Sequence, residues 1–110
     1  FENRNLEKAK DWFKQAINLD EKFIDARSNL GEVYLEMEEY EKGVNQFIDI
    51  LEENPDDIDA LIRMAQLNIE IENYDEAILY AQKVLENEPQ NEIANKIVNI
   101  ISEQTEAIDN

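Results

Sequence analysis

An all-α solenoid of antiparallel helical hairpins, about six helices in all, is the fold class that this 110-residue sequence predicts. Three observations predict it. The first is an internal repeat. Pro55 and Pro89 stand 34 residues apart, as do Tyr40 and Tyr74. The series Ala26, Ala60, Ala94, the series Leu30, Met64, Val98 and the series Leu6, Tyr40, Tyr74 keep the same step. The second is the spacing of apolar residues inside each period, three or four apart, which gathers them on one face of a helix. The third is composition: only two Gly and two Pro occur, among abundant Glu, Lys, Ala, Leu and Gln, a mixture that favours long helices. A single hairpin buries only part of its apolar surface, and stacking of successive hairpins completes the burial.

Residues 1–23 read as a partial repeat, mainly its second helix, with the apolar pattern running over 6–19. Phe1 reads as the remnant of a first helix. Leu6, Phe13 and Ile17 then have a side without a partner, which Phe1 and Trp12 are expected to cover in part. The sequence starts at Phe1 rather than Met, so it reads as a fragment or a processed form. Either a preceding stretch of chain or self-association through this end is expected to complete the burial.

Residues 24–57 form one full period. Ile24, Leu30, Val33, Tyr34 and Met37 mark a helix over 24–37. Glu38 and Glu39 make a polar break, and Tyr40, Val44, Phe47, Ile48 and Leu51 mark a second helix over 40–51. Residues 58–91 repeat the plan, with helices over 58–71 and 74–85 and a break at Glu72 and Asn73. Each Pro follows a helix, where a residue without an N–H stops further winding. Asp56, Asp57 and Asn91 are expected N-caps. Residues 92–110 read as a capping helix. Ile93, Ala94, Ile97, Val98 and Ile101 are expected to dock on the last hairpin, and Asn95, Asn99, Ser102 and Glu106 to face water.

Charge and missing residue types narrow the chemistry. The net charge of −17 repels phosphate backbones and anionic membranes, so neither nucleic acid nor a membrane surface is an expected partner. It suits a partner with basic residues, and it also serves solubility. The sequence has no Cys and no His, which removes disulfides, thiolate nucleophiles, imidazole bases and the usual zinc ligands. Ser28, Ser102 and Thr105 have no His to activate them. The many carboxylates spread over polar helix faces rather than pairing across a cleft, so the chain is read as a non-enzyme without cofactor. The stretch Pro55, Asp56, Asp57, Ile58, Asp59 lacks the glycine and the distal Glu of a calcium loop and reads as helix capping. No apolar run approaches membrane-span length, and a cytoplasmic location is expected.

The period and its pattern resemble the tetratricopeptide repeat, whose outline is Trp-x2-Leu-Gly-x2-Tyr, then Ala-x3-Phe, then Pro. Arg27, Leu30, Gly31, Tyr34, Gly43, Phe47 and Pro55 occupy those places in one period. Leu61, Met64, Ala65, Asn68, Ala77, Ala81 and Pro89 occupy them in the next, and Ala9, Phe13 and Glu21 in the partial repeat. Trp is missing from the first place of both full periods. Asn68 stands where Tyr is usual and Ala81 where Phe is usual, so either looser packing of this repeat or a compensating side chain such as Tyr80 is expected. The resemblance covers residues 1–91 and implies a right-handed superhelix. It also implies close helix approach at Gly31, Gly43, Ala65 and Ala77.

The resemblance further implies a protein–protein interaction module, an adaptor or assembly scaffold, that holds a peptide or helix in a concave groove lined by the first helix of each pair. Carried onto this sequence, the groove positions are Asp25, Ser28, Asn29, Glu32, Leu35 and Glu36, then Asp59, Ile62, Arg63, Gln66, Ile69 and Glu70, and on the last helix Ile93, Lys96, Ile100 and Glu103. One branch of the family clamps the carboxylate of chaperone tails with Lys, Asn and Arg. Asn29 and Arg63 match two of those places, but Asp59 stands where Lys is required, which argues against a clamp. Leu35, Ile62, Ile69, Ile93 and Ile100 instead form an aliphatic stripe rimmed by acids, which suits an amphipathic segment with basic flanks. The alternative is a structural role, as a solenoid segment of a larger protein or a self-associating domain, with the same aliphatic residues packed into inter-repeat seams or against a C-terminal segment.

Overall fold

The structure is a computed structural model that describes residues 2–20 and 23–109, with side chains described from 5 to 104 within them. The expectations for Phe1, Glu21, Thr105 and Glu106 lie outside that description. Among the described residues there are six helices: α1 (Glu2–Leu19), α2 (Ile24–Glu36), α3 (Tyr40–Glu53), α4 (Ile58–Glu70), α5 (Tyr74–Asn87) and α6 (Glu92–Asp109). The starts of α2 and α4, and of α3 and α5, are one 34-residue period apart. Helix α1 begins four residues before its apolar pattern does. Helices α3 and α5 run past Leu51 and Leu85 because nothing stops winding until the residue before proline. There Asn54 (φ −137°, ψ 81°) and Glu88 (φ −132°, ψ 82°) are both extended, as the following pyrrolidine ring requires.

The chain divides into two compact units between Pro55 and Asp56. In the first unit α2 packs against both α1 and α3. Leu30, Val33 and Tyr34 of α2 and Phe47 and Ile50 of α3 are buried. The two glycines set the approach of these helices. A Cβ on Gly31 would lie 2.9 Å from Cε2 of Phe47, and a Cβ on Gly43 would lie 2.9 Å from Cγ of Leu35 and 3.0 Å from the carbonyl oxygen of Gly31. Arg27, in the place where the family has Trp, reaches across to Asp49 at 3.6 Å. In the second unit α5 packs against α4 and α6, and α4 also touches α6. Leu61, Met64, Ala65, Ala77, Ala81 and Val84 fill the hairpin, and Ala94, Ile97 and Ile101 dock α6.

The hairpin turns hold a feature that polarity alone does not reveal. Glu38 and Glu72 have φ of 63° and 62°, the left-handed region. Each turn closes with the paired hydrogen bonds of a Schellman motif: Glu39 N–H to Tyr34 O (2.8 Å) with Glu38 N–H to Leu35 O (3.0 Å), then Asn73 N–H to Asn68 O (2.8 Å) with Glu72 N–H to Ile69 O (3.0 Å). Glycine is the usual residue at that position because a Cβ is strained there. Glu38→Gly and Glu72→Gly are therefore expected to raise stability by about 0.5–1 kcal/mol each. Urea denaturation checks this, with Glu38→Ala and Glu72→Ala as controls that keep the Cβ and give no gain.

Two of the three expected N-caps are present. Asp57 Oδ1 accepts from Ala60 N–H at 2.9 Å, and Asn91 Oδ1 accepts from Ala94 N–H at 2.9 Å. Asp56 is not a cap. It lies one residue too early, and its carboxylate accepts instead from Asn87 Nδ2 at 3.2 Å. At the N-terminal end Trp12 is 66% exposed, so it does not cover the open side of α1. Its ring stands edge-on to Phe13, with centroids 5.6 Å apart.

Candidate functional site

Helices α2 and α4 are the first of their hairpins, and each turns one face into its hairpin and another away from it. On α4, Leu61, Met64 and Ala65 are buried toward the hairpin. Ile62, Gln66 and Ile69, spaced four and three apart, share a different face and are half-buried, as is Arg63. Arg63 Nη1 donates to Gln66 Oε1 at 3.4 Å. Asp59 and Glu70 are exposed at the two ends of this face.

Helix α6 adds to the same unit. Ile93 and Ile100 are each 47% exposed, with exposed Lys96 and Glu103 nearby in sequence. The expectation that Ile93 docks on the last hairpin is corrected here. Ala94, its neighbour, takes the inward position, and one residue of rotation carries Ile93 outward. Val98 is half-buried. Asn95 is exposed but turns back on its own backbone, with Nδ2 3.0 Å from Asn91 O and 3.3 Å from Pro89 O.

In the first unit, Asn29 and Glu36 are exposed on α2, along with Asp25, while Ser28, Glu32 and Leu35 are half-buried. Leu35 serves the hairpin as well as the surface, because its side chain lies over the Cα of Gly43.

The second unit accommodates the departures from the family outline. Asn68, standing for Tyr, turns along its own helix and donates to Met64 O at 2.8 Å. Tyr80 is half-buried on α5. Burial pushes its hydroxyl pKa up, and the Glu76 carboxylate adds to the effect. Spacing alone gives no signal for this, since it places Tyr80 beside the buried Ala81 without fixing its depth.

Half-covered aliphatic side chains gain about 25 cal/mol for each Å² removed from water. Among the described residues, no group of three or more His, Cys, Asp or Glu is placed to hold a metal ion. No helix there is long and apolar enough to cross a membrane.

Comparisons agree with this architecture. Family models described as tetratricopeptide repeat match residues 42–98 and 24–57, and one described as TPR repeat matches residues 1–38. A search of curated proteins finds no match. Among solved structures, a tetratricopeptide repeat protein from Parabacteroides merdae is 27% identical with a TM-score of 0.85. That match covers 98% of this chain, which spans 42% of the longer protein. The first TPR of Spaghetti (RPAP3), bound to the HSP90 peptide SRMEEVD, is 19% identical with a TM-score of 0.79, covering 96% of this chain and 83% of its own. The Sgt2 TPR domain from Aspergillus fumigatus is 17% identical with a TM-score of 0.78, covering 97% and 72%. These neighbours establish the all-α helical-hairpin solenoid class. Since one family model alone spans more than half of the sequence, and the helices start on its period, the chain belongs to the tetratricopeptide repeat family.

Proposed function

We propose that the chain is a protein–protein interaction module, an adaptor or scaffold, whose second unit binds an amphipathic peptide or helix carrying basic residues. The observation that carries this reading is that the second unit leaves Ile62 and Ile69 half-buried on α4, where Asp59 and Glu70 are exposed, and Ile93 and Ile100 exposed on α6. An amphipathic helix presents apolar residues at matching three- and four-residue spacing, and its basic flanks meet the acidic rim. In the first unit, taken by itself, Asn29, Glu32, Leu35 and Glu36 are a separate proposed contact set on α2.

The sign of the partner's charge follows from the chain itself. The peptide bound to the RPAP3 domain, SRMEEVD, ends in acidic residues. Here the net charge is −17 and Asp59 occupies the place where the resemblance calls for Lys. Both features disfavour such a tail and favour a cationic segment. The proposed place of action is the cytoplasm, consistent with a sequence free of Cys.

The test is a calorimetric titration of a basic amphipathic helical peptide into wild type and the Ile62→Glu, Ile69→Glu double variant. Burying two carboxylates against apolar peptide side chains is expected to weaken binding at least tenfold, since unpaired buried charge costs several kcal/mol. The peptide SRMEEVD is expected to give no heat with either protein. Equal binding of the basic peptide by both proteins removes the groove reading.

A further inference from the structure

We propose that the exposed face of α1 is a self-association surface, on which a second copy of this chain docks antiparallel with its Trp12 seated over Ala16. The proposal is independent of the peptide-binding reading and uses none of its residues.

The face is apolar beyond what the hairpin plan requires. Trp12 is 66% exposed, Leu19 90% and Phe23 43%. One period later the same places hold Gln46, Glu53 and Asp57, so the fold tolerates polar residues there. Together with Gln15, Ala16 and Asp20, the three line a depression of about 500 Å³. Tryptophan and phenylalanine are enriched in protein interfaces, and tryptophan is enriched among the residues that carry most of the binding energy.

Charge selects the occupant. The first 22 residues carry five basic and five acidic side chains, while the remaining 88 carry five basic and 22 acidic. The whole net charge of −17 therefore belongs to residues 23–110. Two copies repel through that region and meet without net repulsion only through α1. A cationic partner is drawn to the acidic region rather than to this neutral end, so the apolar face fits a second copy better.

The helix supplies a self-complementary register. Asn5, Lys8, Trp12, Gln15, Ala16 and Leu19 follow helical spacing along one stripe, whose single charge is Lys8. When two such stripes run antiparallel with Trp12 opposite Ala16, the small side chain leaves room for the indole. The same register brings Lys8 of each copy to Asp20 of the other. Two-fold symmetry repeats every contact. Covering Trp12, Leu19 and Phe23 in both copies removes on the order of 800 Å², less than the roughly 1,200 Å² of a stable interface. The expected dimer is weak and concentration-dependent.

Sedimentation velocity of the 110-residue chain, from low micromolar to near-millimolar concentration, is expected to show monomer passing to dimer. Trp12 is the only tryptophan, so its emission is expected to shift to shorter wavelength over the same range. Trp12→Ala, at an exposed position that leaves the helical circular dichroism intact, is expected to weaken association at least tenfold. Lys8→Asp and Asp20→Lys each weaken it, and the two together restore it. A chain that stays monomeric at the highest concentration overturns the proposal. So does association that survives Trp12→Ala, or a charge swap that fails to restore the dimer while circular dichroism shows all variants folded.

Discussion

Replacing Phe47 by Ala is expected to lower stability by about 3–5 kcal/mol. The ring is 1% exposed and is among the largest fully buried side chains described. Its Cε2 and Cζ atoms lie 2.9 and 3.0 Å from the point where a Cβ on Gly31 would stand. Phe47 thus occupies space that α2 vacates by having no side chain at residue 31. Removing the ring leaves a void between two helices whose backbones are already in contact at Gly31 and Gly43, so they have little scope to close further. Native domains are stable by only about 5–15 kcal/mol, so the loss is a large fraction of the total. Urea denaturation followed by circular dichroism measures it. A loss below about 1 kcal/mol would show that the site collapses freely and that the ring is not the spacer of this hairpin.

Much of this hairpin plan was legible in the sequence because a period of 34 is a strong constraint. Once Pro55 and Pro89 are matched, Tyr40 and Tyr74 fall on helix starts, and the buried set of α2 and α4 follows from three- and four-residue spacing. What was not legible depends on backbone angles or on depth. Glu38 and Glu72 read only as polar breaks, and nothing in a glutamate announces φ near 60°. Of two adjacent carboxylates, Asp57 caps and Asp56 does not, because the residue just before the helix is the one whose side chain reaches the free N–H groups. Trp12 reads as a cover for part of the open side of α1, yet it is 66% exposed, because no described neighbour packs over its ring. The candidate contact residues were legible as a face and not as a depth. Ile93 and Ile100 are exposed, Ile62 and Ile69 are half-buried, and Leu35 is shared with the contact to Gly43. Spacing fixes an angle around the helix axis, but the neighbours decide how much of that angle is covered.

The second hairpin solves the same packing problem with the volumes redistributed, which leads to the other large expected effect. Gly31, Gly43 and Phe47 of the first hairpin correspond, one period later, to Ala65, Ala77 and Ala81. All three alanines are buried, at 0%, 0% and 1% exposure. Restoring the family's aromatic with Ala81→Phe is therefore expected to destabilise the chain by about 3 kcal/mol or more, since a ring is forced where no space was vacated for it. Ala65→Gly alone is expected to cost about 1 kcal/mol through lost helix propensity. In combination with Ala81→Phe it is expected to recover stability, giving a coupling of at least about 1 kcal/mol. The first hairpin offers the mirror case. Gly31→Ala destabilises the wild type because the new methyl meets the Phe47 ring. In a Phe47→Ala background the ring contacts are gone and the carbonyl oxygen of Gly43, 3.3 Å from the new Cβ, is the tight neighbour left, so the same substitution is expected to gain up to about 1 kcal/mol of helix propensity less the cost of that approach. A sign that reverses with the identity of residue 47 cannot come from propensity alone. If urea denaturation instead finds both pairs additive, the glycine-for-ring exchange is not what distinguishes the two hairpins.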